Sequence, residues 1–152
     1  MKTSYYLRNN PLVVMGVIDT VLRSKGTADI GRIAVLLPML LDDKVVGSLL
    51  NNRLQYSFRQ LVQQNNMYLA NYNDRYLSLL KPLYHALCIM MDADAVMLNG
   101  ADIEPSINIS KVRIEADCSN RLQRINKAAE KLFAIAERES NKELYQVLKV
   151  AL

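Results

Sequence analysis

Apolar residues recur at helical spacing through most of the chain, in blocks set apart by Gly, Pro, Asn and Asp. Asn10-Pro11 opens the first block. Asn is the capping side chain, and Pro takes the first helical position, where its missing N–H loses no bond. The predicted helix, PLVVMGVIDTVLRSK, stops at Gly26. Leu12, Val13, Met15, Val17, Ile18, Val21 and Leu22 cover well over half its circumference and leave Asp19, Thr20 and Arg23 for solvent. Thr27 is the expected cap of a second helix, ADIGRIAVLLPMLL, with Asp29 in its first turn. Pro38 removes the bond to the Ala34 carbonyl and predicts a kink or an end near Leu37. Asp42 or Asp43 starts a third helix through Leu50, which Asn51-Asn52 ends. A fourth, about Leu54 to Gln63, sets Leu54, Phe58, Leu61 and Val62 on one face, and Gln63 to Asn66 reads as a loop or a frayed end.

The block NDRYLSLLKPLYHALCIMM, Asn73 to Met91, dominates the pattern, with Asn71 or Asn73 as its cap. From Tyr76 to Met91 its only strongly polar side chains are Ser78, Lys81 and His85, which share one narrow stripe extended by Asp74 and Asp92. A helix apolar on every other side is expected to be enclosed by its neighbours, so this stretch reads as the central helix of the domain. Lys81 and Pro82 interrupt it, and it falls short of the about 20 apolar residues a bilayer demands. Pro82 frees the Ser78 carbonyl and predicts a kink that wraps the helix over a core.

After Asp92 the period changes. AVML, Asn99-Gly100 and ADIE read as two strands joined by a two-residue turn, and INIS (Ile107 to Ser110) as a third strand. Lys111 to Cys118 fits no element. A long helix from about Ser119 to Arg138 buries Leu122, Ile125, Ala129, Leu132, Phe133 and Ala136. The final helix, about Asn141 to Val150, offers Leu144, Tyr145, Leu148 and Leu152 for docking. The expected fold is mainly α with a small β-hairpin (α+β), a compact helical single domain over residues 1–152 in a winged-helix-like order.

Composition narrows the possibilities. Apolar residues make up 51% and charged residues 22%, which excludes a disordered chain, and five Gly with four Pro oppose a many-stranded β architecture. A net charge of +4 permits contact with nucleic acid or an acidic partner, though a solvated basic face explains it as well. Two cysteines, Cys88 and Cys118, build no disulfide framework, and the opening MKTSYYLRNN lacks an apolar signal region. The expected location is cytoplasmic, with both thiols reduced.

Candidate chemistry is sparse. His85 is the only histidine; with Cys88 three residues on, zinc would still need two more ligands, and none is suitably spaced. A catalytic site would have to use His85, and no nucleophile turn or Gly-rich phosphate loop is present. Asp42, Asp43, Asp92 and Asp94 stand where helix caps are wanted. We therefore expect no catalytic residues, metal, cofactor, small-molecule substrate or membrane contact. Nucleic acid is the remaining chemical option: Arg124, Lys127, Lys131 and Arg138 line one helix face, with Arg121 just before them, and could meet phosphates of double-stranded DNA. The plainer reading is a solvated face moderated by Glu130 and Glu137. Tyr76 and Tyr84 read as core or interface residues, not as base-stacking platforms.

The ordered segments LRNNPLVVMGVIDTVL, AVLLPMLL, NDRYLSLLKPLYHALCIMM, KAAEKLFAIA and ELYQVLKV resemble the small middle components of three-component ABC systems of the Lamassu type, which act in anti-phage and anti-plasmid defence. Asn9-Asn10-Pro11 and Asn73-Asp74-Arg75 are the most distinctive pieces. The resemblance implies a non-catalytic adaptor that bridges an SMC- or Rad50-like ATPase to a nuclease-like effector subunit and helps sense DNA ends. Asn9, Asn10, Pro11, Arg75, Tyr145 and Leu148 are then the candidate partner surface, and the basic row the candidate DNA contact. The alternative is a free-standing winged-helix-like DNA-binding regulator.

Overall fold

Residues 10–51, 57–112 and 120–151 are described by the computed structural model. Among them are seven α-helices and a three-stranded antiparallel sheet: α1 Pro11–Lys25, β1 Ala28–Asp29, α2 Ile30–Leu40, α3 Asp43–Asn51, α4 Phe58–Gln64, α5 Tyr72–Asp92, β2 Val96–Asn99, β3 Asp102–Pro105, α6 Asn120–Ala136 and α7 Asn141–Val147. Short 3-10 turns lie at Asn66–Leu69 and Ile109–Val112.

α1 has the predicted bounds, capped by the Asn10 side chain on the Leu12 amide at 3.0 Å and closed by Gly26 at φ 84°. α2 starts later than expected. Ala28 and Asp29 pair with Ile103 and Asp102 as β1, so Asp29 instead of Thr27 becomes the cap and accepts the Arg32 amide at 2.8 Å. Pro38 does not stop α2, which runs two residues further, because Met39 and Leu40 are held in fully buried positions. Asp42 caps α3 through the amides of Lys44 and Val45. α4 begins at Phe58 and not at Leu54, which lies outside the described residues; Ser57 and Gln60 form a reciprocal capping box there. Asn71 precedes α5 in the left-handed conformation with no side-chain cap bond, and the chain passes through Pro82 as one helix.

The hairpin turn is displaced by one residue from the expected Asn99-Gly100. Asn99 and Asp102 face each other, so Gly100 and Ala101 make the turn, with Gly100 at φ 63° as its first central residue. The third strand is not INIS, whose end forms a 3-10 turn, but β1, giving the order β1-β3-β2. A strand between the first two helices thus pairs onto the second strand of the hairpin. The long helix α6 ends at Ala136, so Arg138 falls in the turn before α7.

The centre of the molecule is α2, where every residue from Ile33 to Leu41 is buried. α5 packs on it and on α1, α1 packs also on α6, and α3 leans on α6. A Cβ at Gly16 would stand 3.2 Å from the Asn126 side-chain oxygen, so the absent side chain lets α6 close on α1. The stretch expected at the centre, α5, instead covers one side: Tyr72, Tyr76, Leu79, Pro82, Leu83, Ala86, Leu87 and Met90 are buried, and Leu77, Ser78, Leu80, Lys81, Tyr84, His85, Ile89 and Met91 are exposed.

Candidate functional site

The basic row of α6 borders a shallow groove of about 690 Å³ lined by Leu50, Arg124, Lys127, Glu130, Lys131 and Ala134. Its cations are not equally available. Arg121 pairs with Asp43 at 3.2 Å, and the Lys131 ammonium donates to the Leu49 carbonyl at 3.3 Å, where the last turn of α3 offers free carbonyls. Arg124, Lys127 and Arg138 have no such bond among the described residues and are exposed. Arg138 stands beyond the end of α6, separate from the groove.

The candidate partner residues scatter. Asn9 lies outside the described residues. Asn10 and Pro11 form the half-buried entry to α1. The Arg75 guanidinium reaches inward to the carbonyls of Tyr68 and Pro38 and to Asp42 at 3.4 Å, tying the start of α5 to the end of α2. Tyr145 and Leu148, expected on an outer surface, are folded into the core. The Tyr145 hydroxyl donates to the Gly31 carbonyl at 2.9 Å, and its ring meets Tyr76 edge-on at 5.8 Å. Burial first, and the Tyr76 hydroxyl second, hold the Tyr145 phenol above the usual range.

No local pattern in the sequence marks Arg32. Its guanidinium donates to the Ala136 carbonyl at 2.7 Å, the Glu139 carbonyl at 2.5 Å and the Asn141 side chain at 3.1 Å. Asn141 in turn donates to Asp29 at 2.8 Å. One fork therefore closes the carbonyl end of α6 and the start of α7 against α2.

The outward face of α5 has the opposite character. Leu77, Leu80, Tyr84 and Met91 are exposed by 52%, 38%, 66% and 42%, and Ile89 by 45%. Met97 and Leu98 of the edge strand β2, which packs beside α5, are exposed as well. The predicted stripe of Ser78, Lys81 and His85 runs alongside this apolar strip on the same solvent side. Tyr84 contacts the His85 ring and shares a hydrogen bond with Cys88 that raises its phenol pKa. No group of three or more His, Cys, Asp or Glu able to hold a metal comes together among the described residues.

Residues 4–152 match the family described as ABC-three component (ABC-3C) system Middle Component 3. The chain belongs to that family. No curated protein and no solved structure matches it. A middle component is an accessory member of a three-component system and implies partner components. In this middle component no helix among the described residues is long and apolar enough to cross a membrane. What the fold does leave in solvent is a basic groove of few free cations on α6 and an apolar strip on α5.

Proposed function

We propose that this middle component is a non-catalytic adaptor that joins the SMC-like ATPase of its system to a nuclease-like effector in the cytoplasm, in Lamassu-type defence against phage and plasmids. The observation that carries this reading is the family match, which extends over nearly the whole chain. The exposed apolar strip of α5 supports it, since contiguous apolar surface on a small protein marks an interaction site. The partner surface then lies on α5 and not on Tyr145 and Leu148, whose side chains serve the core. Co-expression with the other two components tests the reading: the three should elute as one assembly, and a chain that elutes alone in every combination rules it out.

A second reading is favoured by the β1-β3-β2 order, which is that of winged-helix DNA-binding modules. In such modules the helix before the hairpin enters the major groove with polar side chains. Here that helix is α5, and its outer face carries Leu77, Leu80, Tyr84 and Met91. DNA contact through Arg124, Lys127 and Arg138 remains part of the proposal, as a weak and sequence-independent one. Three unpaired cations correspond to a log–log salt slope of about −3, against roughly −5 to −9 for a protein that neutralises six to ten phosphates. Tight DNA binding by the isolated chain with a steeper slope would favour the regulator reading.

A further inference from the structure

We infer that the outer face of α5 is a seam for one α-helix, contributed by another component of the same system. The inference rests on the adaptor reading and names the kind of segment that the adaptor receives. Leu77, Leu80, Tyr84, Leu87 and Met91 recur at alternating steps of three and four residues. That spacing keeps one stripe turned toward a helix lying at a shallow angle of about 20°, and an extended strand would not match it. Leu87 sits at the inner margin of the stripe, and the other four face solvent. From Leu77 to Met91 the helix makes fourteen rises, a seam about 21 Å long and three to four turns of a partner. The inward face of α5 is already filled by α1 and α2, so the outer stripe is a second, unmet apolar face on one helix.

Charges beside the seam select the occupant. Asp74 lies at one end, Lys81 in the middle and Asp92 at the other end, with exposed Asp94 just beyond. A second copy is badly matched. Parallel pairing sets Lys81 against Lys81 and Asp92 against Asp92. Antiparallel pairing about Tyr84 sets Asp74 of one copy beside Asp92 and Asp94 of the other. Like charges at such flanking positions oppose pairing. The complement is a helix with Leu, Ile or Met at three-four spacing, a carboxylate near its middle and Lys or Arg toward its ends.

The test uses the full chain and the two other components of its system. Leu77→Glu with Tyr84→Glu charges the seam at its two most exposed positions, and a thermal melt checks that the fold persists; Leu77→Ala with Tyr84→Ala serves if the charged pair unfolds. We expect the seam variant to bind one component at least about tenfold more weakly, and Arg124→Glu with Lys127→Glu to leave that affinity within about twofold. Wild type and seam variant binding alike would overturn the seam while leaving the adaptor reading standing. Wild type binding neither component would remove the adaptor reading and the seam with it. A dimer of the isolated chain that the seam variant turns into a monomer would replace the partner helix by a second copy. Cross-linking from Leu80→Cys in the assembly should reach a helix, and capture of a strand or loop would contradict the inference.

Discussion

At the junction of α2, α6 and α7, a guanidinium is sunk among carbonyls, whereas along the outside of α5 leucine, tyrosine and methionine stand in water. The two regions invert the usual placement of polar and apolar groups, for different reasons. Arg32 is half-buried because a planar fork meets at once the Ala136 carbonyl that ends α6 and the Glu139 carbonyl in the turn that follows. Every donor position used there has an acceptor, so the junction is self-sufficient. The α5 strip has no counterpart among the described residues. An inverted polar site that is satisfied internally belongs to folding, and an apolar one left unsatisfied belongs to recognition.

Substitution separates the two roles. The largest expected effect is Leu79→Ala, which empties a buried site on the inward face of α5 and should destabilise the fold by about 3 kcal/mol in denaturant unfolding. Arg32→Ala comes next, with about 2 kcal/mol expected from the lost charge-assisted bonds; Arg32→Lys should recover less than half, since a single ammonium cannot span the same acceptors. Alkali is a milder probe of the satisfied interior. Tyr72 donates to the Val35 carbonyl from a buried position, and burial holds its phenol well above the ordinary value. A raised folded pKa stabilises fully below the unfolded value near 10 and is lost as pH climbs above it, by about 1.4 kcal/mol per pH unit. Melts at pH 9 and 11 should show the decline, and Tyr72→Phe should flatten this part of it. The smallest effect is expected at Leu80→Ala, within about 0.5 kcal/mol of wild type. Equal losses at Leu79 and Leu80 would show that the two faces of α5 do not differ, and the contrast with the Arg32 junction would go with them.

Much of the fold was legible in the sequence because its signals are local. The Asn10-Pro11 entry, the Gly26 stop and the three-four spacing of Ile125, Ala129, Leu132 and Ala136 each act within a turn or two. β1 was not legible: two residues have no period, and Ala28–Asp29 is a strand only because β3 lies beside it. The hairpin slipped by one residue because Asn99-Gly100 and Gly100-Ala101 both put a glycine in the turn, and the pairing of Asn99 with Asp102 chose between them. α5 is the instructive failure. Leucines at 79 and 80 look alike in sequence, and only the position of α1 and α2 decides which is enclosed. Tyr145 and Leu148 show the reverse case, since the apolar face of α7 is real but already turned into the core. The candidate DNA row was correctly placed on α6 as far as Lys131, yet no pattern could announce that Asp43 and the Leu49 carbonyl engage two of its members.

The Arg32 junction also sets a schedule for the chain as it is made. Its three acceptors lie 104, 107 and 109 residues further on. At typical synthesis rates those residues follow α2 by about 5 to 20 s. Once α5 has emerged, α1 and α2 can gather on it by their apolar faces, but the guanidinium still belongs to water. The N-terminal half thus remains a provisional collapse until the last helix leaves the ribosome, and a nascent chain stalled before α7 would hold its earliest helices unlatched.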